Sequence, residues 1–244
     1  MSICITGGSS GVGRAVAERF AAPGVDVFVN YHSDDEAAAE AGAAIEAAGG
    51  TAHLVKADIG SLEGVQQLVA AVSAEVDRLD QLVHAAAMAV PGELIEINGD
   101  ALDAAVRTNG TSLAHLVREA LPLLGDGSSV LFVTSAGSSK ALPGYGGLGA
   151  PKALAEHLAR YLAREVAPRG ARVNCISPGP LDTTARRRMF PDTWEERLEM
   201  QRENTPAGRT LRIEEVAEVV ELLSRPAFAM MQGQVITLDG GLTL

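Results

Sequence analysis

"ICITGGSSGVGRAVAERF", Ile3 to Phe20, decides how the rest of the chain is read. A short β-branched run breaks into glycine and serine and resumes as a helical pattern, so a buried strand feeds a helix through Gly7, Gly11 and Gly13. The spacing is G-x-x-x-G-x-G. Glycine at such a turn permits a tight bend and a close backbone approach. The free N–H groups and positive dipole end of the helix that follows favour an anion such as a pyrophosphate. Ser9, Ser10 and Val12 share the loop and are expected beside that anion.

The same alternation continues to the last residues. Strand-like runs stand at 2–6, 25–31, 52–57, 81–86, 129–134, 171–177 and 234–239, with helical patterns over 12–22, 34–48, 61–76, 100–123, 152–166, 193–203 and 214–223. Asp34, Ser61 and Asp100 suit helix N-caps. Repeated βαβ units predict an α/β fold: one doubly wound domain over residues 1–244, with a seven-stranded parallel sheet flanked by helices. At 47% hydrophobic residues the chain can bury a substantial core, while a net charge of −11 argues against a nucleic-acid partner. No run is apolar for long enough to span a bilayer, and the opening residues lack a basic leader, so a cytoplasmic protein without membrane contact is expected. Cys4 and Cys175 fall in strand-like runs and read as buried, reduced thiols. No metal site is expected.

"TGGSSGVG", "KADI" at 56–59, Asn109 in "RTNGTS", Ser135 in "FVTSAG", Lys152 in "GAPKALAEHLARYLA", "SPGPLDT" at 177–183 and the closing "GQVITLDGG" together resemble the short-chain dehydrogenase/reductase family. The likeness covers essentially the whole chain. It implies a Rossmann-type fold, a nicotinamide cofactor and a homotetramer. It further implies that Asp58 and Ile59 flank the adenine, that Ala85 lies on the cofactor side, and that Pro178, Gly179 and Thr183 line the nicotinamide end. Asn109 is expected to brace the backbone under Lys152. "VHAAA" departs from the Asn-Asn-Ala-Gly pattern usual after the fourth strand, and His84 reads as a core or cofactor-wall histidine.

At the end of the second strand, relatives specific for NAD tend to carry an acid that would repel a 2′-phosphate. Here the residues are Asn30, Tyr31, His32 and Ser33, with no carboxylate before Asp34. NADPH is therefore expected, with His32 and Ser33 at its ribose and NADH as the alternative.

In most of the family a tyrosine precedes the lysine by four residues, on the same helix face. That position is Leu148, which can neither give nor take a proton. The nearest phenol is Tyr145 in "PGYGGLGAP", where four glycines disfavour a helix and Pro151 suits a first helical turn. Tyr145 is therefore expected on an irregular segment leaning over the pocket. In ketone reduction the proton donor serves the oxygen on the carbon that receives hydride. In reduction of an α,β-unsaturated thioester, charge develops three bonds away, so a donor set further from the nicotinamide fits. The Tyr-x6-Lys spacing is similar to that of enoyl-acyl-carrier-protein reductases, especially the type III bacterial enzymes that otherwise look like ketoacyl reductases.

The expected activity is thus reduction of an enoyl-ACP, enoyl-CoA or related enone, with Tyr145, Lys152, Ser135 and Asn109 in the site. Tyr145 would stabilise the enolate, and Lys152 would hold the nicotinamide ribose and lower the pKa of the phenol. Ser135 would orient Tyr145 or the substrate. The alternatives are a 3-oxoacyl ketoreductase and a dinucleotide-binding sensor or scaffold without turnover. Residues 183–206 read as a substrate lid. Its Arg186, Arg187 and Arg188 suit either the phosphates of coenzyme A or of an acyl carrier protein's prosthetic arm, or a solvated charge run.

Overall fold

The computed structural model describes residues 1–244. Seven strands form one sheet, β1 (Ser2–Thr6), β2 (Asp26–Tyr31), β3 (Thr51–Lys56), β4 (Gln81–His84), β5 (Ser129–Val133), β6 (Arg172–Pro178) and β7 (Val235–Leu238). Their order is β3-β2-β1-β4-β5-β6-β7 and every pairing is parallel. The sheet is the doubly wound one expected. Strand order reverses between β1 and β4, which opens a crevice at their carboxyl ends.

Side chains alternate across the sheet with the strand period of two. Cys4, Phe28, Leu82, Val130, Phe132, Val173 and Cys175 face one layer, where they pack on α3 (Leu62–Glu75), α5 (Ser112–Ala120) and α6 (Gly146–Val166). Ile3, Ile5, Val27, Val29, Val83, Leu131 and Ile176 face the other, against α1 (Gly11–Phe20), α2 (Asp35–Ala47) and α9 (Ile213–Ser224). The helices supply matching stripes, such as Leu113, Leu116, Val117 and Ala120 of α5. Each fully buried aliphatic side chain contributes about 1.5–3 kcal/mol. Both cysteines are buried and unpaired, and burial pushes each thiol up to about 12.

Three departures from the expected elements matter for the site. The helix expected over 100–123 is α4 (Gly99–Val106), a π turn at Arg107–Thr111, and α5. A turn is widened where the Asn109 carboxamide leaves the helix to hold the Met88 backbone, donating to its carbonyl at 2.9 Å and accepting from its N–H at 2.8 Å. Helix α6 begins at Gly146, six residues earlier than expected, and carries Pro151 inside it. Local preference is overridden by packing: Cβ atoms at 147 and 149 would stand 2.6 Å and 2.4 Å from the carbonyl oxygens of Val90 and Gly137, an approach only glycine allows. Finally, the segment over 183–206 contains α7 (Thr184–Met189) ahead of α8 (Trp194–Asn204). The Thr183 hydroxyl caps α7 by accepting from the Arg186 N–H.

Candidate active site

Loops leaving the carboxyl ends of β1 to β6 converge on one cavity of about 770 Å³. Its walls include Gly7, Ser9, Ser10, Gly11 and Val12 after β1, and His32 and Ser33 after β2. Asp58 and Ile59 follow β3, Ala85 follows β4, Ser135 follows β5, and Pro178, Gly179 and Thr183 come at and after the end of β6. Tyr145, Leu148 and Lys152 complete the wall from α6 and its approach. A second, more open hollow of about 510 Å³ lies between α6 and the Gln232–Val235 segment, away from these residues.

Two of the expected site residues stand outside that wall. Gly13 is inside α1, and a Cβ there would meet the Gly7 carbonyl oxygen at 2.2 Å, so it serves the loop's packing rather than a ligand. Asn109 is fully buried and braces Met88, not the backbone under Lys152.

The first-loop geometry suits a pyrophosphate. Ser10 is the N-cap of α1 with extended backbone and makes no side-chain bond to the first turn, leaving those N–H groups for an anion. Gly11 has φ +52°, and a Cβ there would find nothing nearer than Thr183 Cγ2 at 3.8 Å. Substitution therefore costs backbone strain alone. Gly11→Ala is expected to lose about 1–2 kcal/mol of unfolding free energy in a denaturant titration. At the far end of the cavity His32 Nδ1 lies 3.7 Å from the Asp58 carboxylate, and both side chains are exposed. Asn30 is turned inward, donating to the carbonyls of Val55 and Ala57 at 3.2 and 2.9 Å, and ties β2 to β3.

Tyr145 directly precedes α6, with its ring against the Gly137 backbone and stacked on Phe190, just after α7, at 6.0 Å. Its hydroxyl donates to Ser135 Oγ at 3.3 Å. Burial raises its pKa, with the Ser135 hydrogen bond and the Arg186 charge acting in the opposite direction. The phenol is thus protonated at neutral pH. Lys152 is buried and donates to the carbonyls of Val133 and Thr134 at 3.0 and 3.4 Å. Burial pushes it down to about 8, partly offset by the Glu156 carboxylate one turn on. The Arg186 charge therefore acts on Tyr145 in the direction expected of Lys152, which is itself held by the two strand-end carbonyls.

Glu156 was not singled out in the sequence, since a glutamate in a helix ordinarily faces water. It is buried and accepts from the hydroxyls of Thr134, at 2.5 Å, and of Ser138, which fixes the backbone on both sides of Ser135.

His84 lies in the core behind the cavity wall. Nδ1 is 2.8 Å from Thr6 Oγ1 and Nε2 is 2.7 Å from Ser112 Oγ. Ser112 gives its own proton to the Thr108 carbonyl at 2.7 Å, and Thr6 accepts from the Ala86 N–H at 3.3 Å. These bonds assign the ring proton to Nε2 and leave Nδ1 as an acceptor. The imidazole is neutral, pushed down to about 3 by burial and then by the Lys152 charge.

The three arginines of α7 have separate surroundings. Arg187 pairs with Asp182 through two 2.9 Å bonds and lies over Trp194 at 4.4 Å. Arg186 and Arg188 line the cavity, and neither forms an ion pair.

Comparison with known proteins agrees with this geometry. Residues 7–243 match the family model described as "Enoyl-(Acyl carrier protein) reductase". The chain is 31% identical over 240 residues to the 1-cyclohexenylcarbonyl-CoA reductase of Streptomyces collinus, covering 98% of this chain and 86% of that one. It is 32% identical to 3beta-hydroxysteroid dehydrogenase 1 of Eggerthella lenta, covering 100% of this chain and 94% of that one. A short-chain dehydrogenase from Burkholderia cenocepacia, solved in complex with NADP, superposes with a TM-score of 0.90 at 29% identity, covering 99% and 97% of the two chains. No helix is long and apolar enough to cross a membrane. A nicotinamide-dinucleotide cavity on a doubly wound sheet, with sequence and structural kinship running from end to end, means that this chain belongs to the short-chain dehydrogenase/reductase family and is an oxidoreductase.

Proposed function

We propose that the protein reduces the C=C bond of an α,β-unsaturated acyl thioester, carried on coenzyme A or an acyl carrier protein, with NADPH as reductant. The observation that carries this reading is the displacement of the proton donor. Leu148 fills the place four residues before Lys152, and the phenol stands at the lid side with Ser135 and Phe190.

In this reading the uncapped start of α1 takes the pyrophosphate, Asp58 and Ile59 take the adenine, and His32 and Ser33 meet the 2′-phosphate. Lys152, fixed by two strand-end carbonyls, reaches the nicotinamide ribose. Pro178, Gly179 and Thr183 hold the nicotinamide end. NADPH, when bound, supplies hydride to the substrate β-carbon. Tyr145, set by Ser135, hydrogen-bonds the thioester oxygen where negative charge collects, stabilises the enolate and passes on the proton that ends at the α-carbon, the phenolate then regaining a proton from solvent. Asn109 and Glu156 position the Met88 and Ser135 backbones. Arg188, exposed and without an acidic partner, suits a phosphate of the carrier. The lid over 183–206 closes a single catalytic domain, and the assembly is a homotetramer.

The Streptomyces relative is named for a thioester conjugated to a ring double bond, which is the same substrate chemistry. Parallel assays of a 2-enoyl and a 3-oxo thioester, each with NADPH and NADH, test the reading. The expected result is a kcat/KM at least about tenfold higher for the enoyl substrate, near the discrimination that one mismatched pocket group gives, together with a lower KM for NADPH than for NADH. Equal or faster turnover of the 3-oxo thioester makes the protein a ketoreductase. Tight NADPH binding with no oxidation across either series makes it a sensor or scaffold.

A further inference from the structure

We infer that Arg186 is the cationic partner of Tyr145, and that its guanidinium offsets the negative charge gathering on the substrate oxygen that the phenol holds. The inference rests on the proposed reading of Tyr145 as the group that meets that oxygen. Helix α7 places Arg186 in the cavity wall, on the face it shares with Thr183 and Met189 at steps of three residues. Its Nη2 donates to Gln201 Oε1 at 2.5 Å, which ties α7 to α8. Its Nε is buried and has no hydrogen-bond partner. No carboxylate pairs with it, because the nearby Asp182 gives both oxygens to Arg187.

A guanidinium left with an unused N–H and no counter-charge is an expensive group to bury. Here it lines the same cavity as Tyr145, and its charge acts to lower the pKa of that phenol. The neutral phenol needs no cation in the resting enzyme. A cation beside it becomes useful once an oxyanion forms at its hydroxyl, the condition under which a fixed charge accelerates a reaction. Arg186 is thus a positioning residue whose contribution appears in the transition state. The neighbouring Arg187, neutralised by Asp182, has no such part.

The test compares Arg186→Gln, Arg186→Lys and Arg187→Gln with the parent enzyme, using a 2-enoyl thioester and NADPH. Titration of Tyr145 is followed by carbon NMR of tyrosine-labelled, NADP-saturated protein, its resonance being assigned with Tyr145→Phe. Arg186→Gln is expected to lower kcat about 10²-fold, as loss of one oxyanion-stabilising group does, with KM for NADPH unchanged. Tyr145 should then titrate at higher pH. Arg186→Lys should recover part of both effects, and Arg187→Gln should show neither. Retained kcat in Arg186→Gln overturns the inference. So does a fall in kcat with Tyr145 titrating as in the parent, because the loss then comes from the α7–α8 contact. If the parent turns over no enoyl thioester, the enoyl reading falls and the titration alone decides the Arg186–Tyr145 pairing.

Discussion

Tyr145→Phe is expected to lower kcat for an enoyl thioester by about 10²-fold or more, the loss typical of a positioned proton donor, while NADPH affinity stays near its parent value. The substitution removes one oxygen and little else. The ring remains in place, because its stack on Phe190 and its seat on the Gly137 backbone do not involve the hydroxyl. The bond to Ser135 Oγ is lost, and Ser135 keeps its position through Glu156, which holds Thr134 and Ser138. Single-turnover kinetics after rapid mixing with NADPH separate the chemical step from binding. A rate equal to the parent's would transfer the proton-donor role to another group, Ser135 being the one within reach.

The protein is expected to lose stability on mild acidification, and His84 is the reason. Its folded pKa, pushed down to about 3, lies below the ordinary value of 6.5 that it regains on unfolding. The unfolded chain therefore binds a proton at pH values where the folded chain does not, so the contribution is complete above pH 6.5 and is lost progressively as pH falls toward 3. At about pH 5 the loss amounts to about 2 kcal/mol, and the full window is worth about 5 kcal/mol. Carboxylates held by arginines, such as Glu215, lowered to about 2, lose their contribution only at lower pH, below their ordinary value of 4.5. Urea titrations at about pH 7.5 and about pH 5 therefore isolate the imidazole. His84→Gln should flatten the dependence between those pH values whatever its effect on absolute stability. An unchanged slope would show that burial does not keep the ring neutral.

The sheet was largely legible in the sequence because its strands are buried on both faces. Such strands read as unbroken apolar runs, "SICIT" and "SVLFV" among them, and each lies within a residue or two of its expected bounds. The loops lining the cavity were legible for a related reason: they must follow strand ends, and Gly7, Asp58 and Thr183 do. What stayed hidden depends on contacts between distant segments. The glycines at 146–149 argue locally against a helix, yet α6 starts there because the Val90 and Gly137 backbones pass too close for any side chain. The run Arg186–Arg188 does not reveal which member turns inward. Only the spacing Thr183, Arg186, Met189 on one helical face hinted at it. The role of Glu156 likewise depends on hydroxyls eighteen and twenty-two residues away.

Because every strand points the same way, each chemical group on the cofactor side hangs from a loop anchored in the same rigid edge, while Arg186, Met189 and Phe190 belong to one contiguous insertion after β6. The sheet-edge loops and the side chains facing them are thereby carried by different stretches of chain. Rewriting the second stretch would reshape one side of the cavity while every rung of the sheet kept its register.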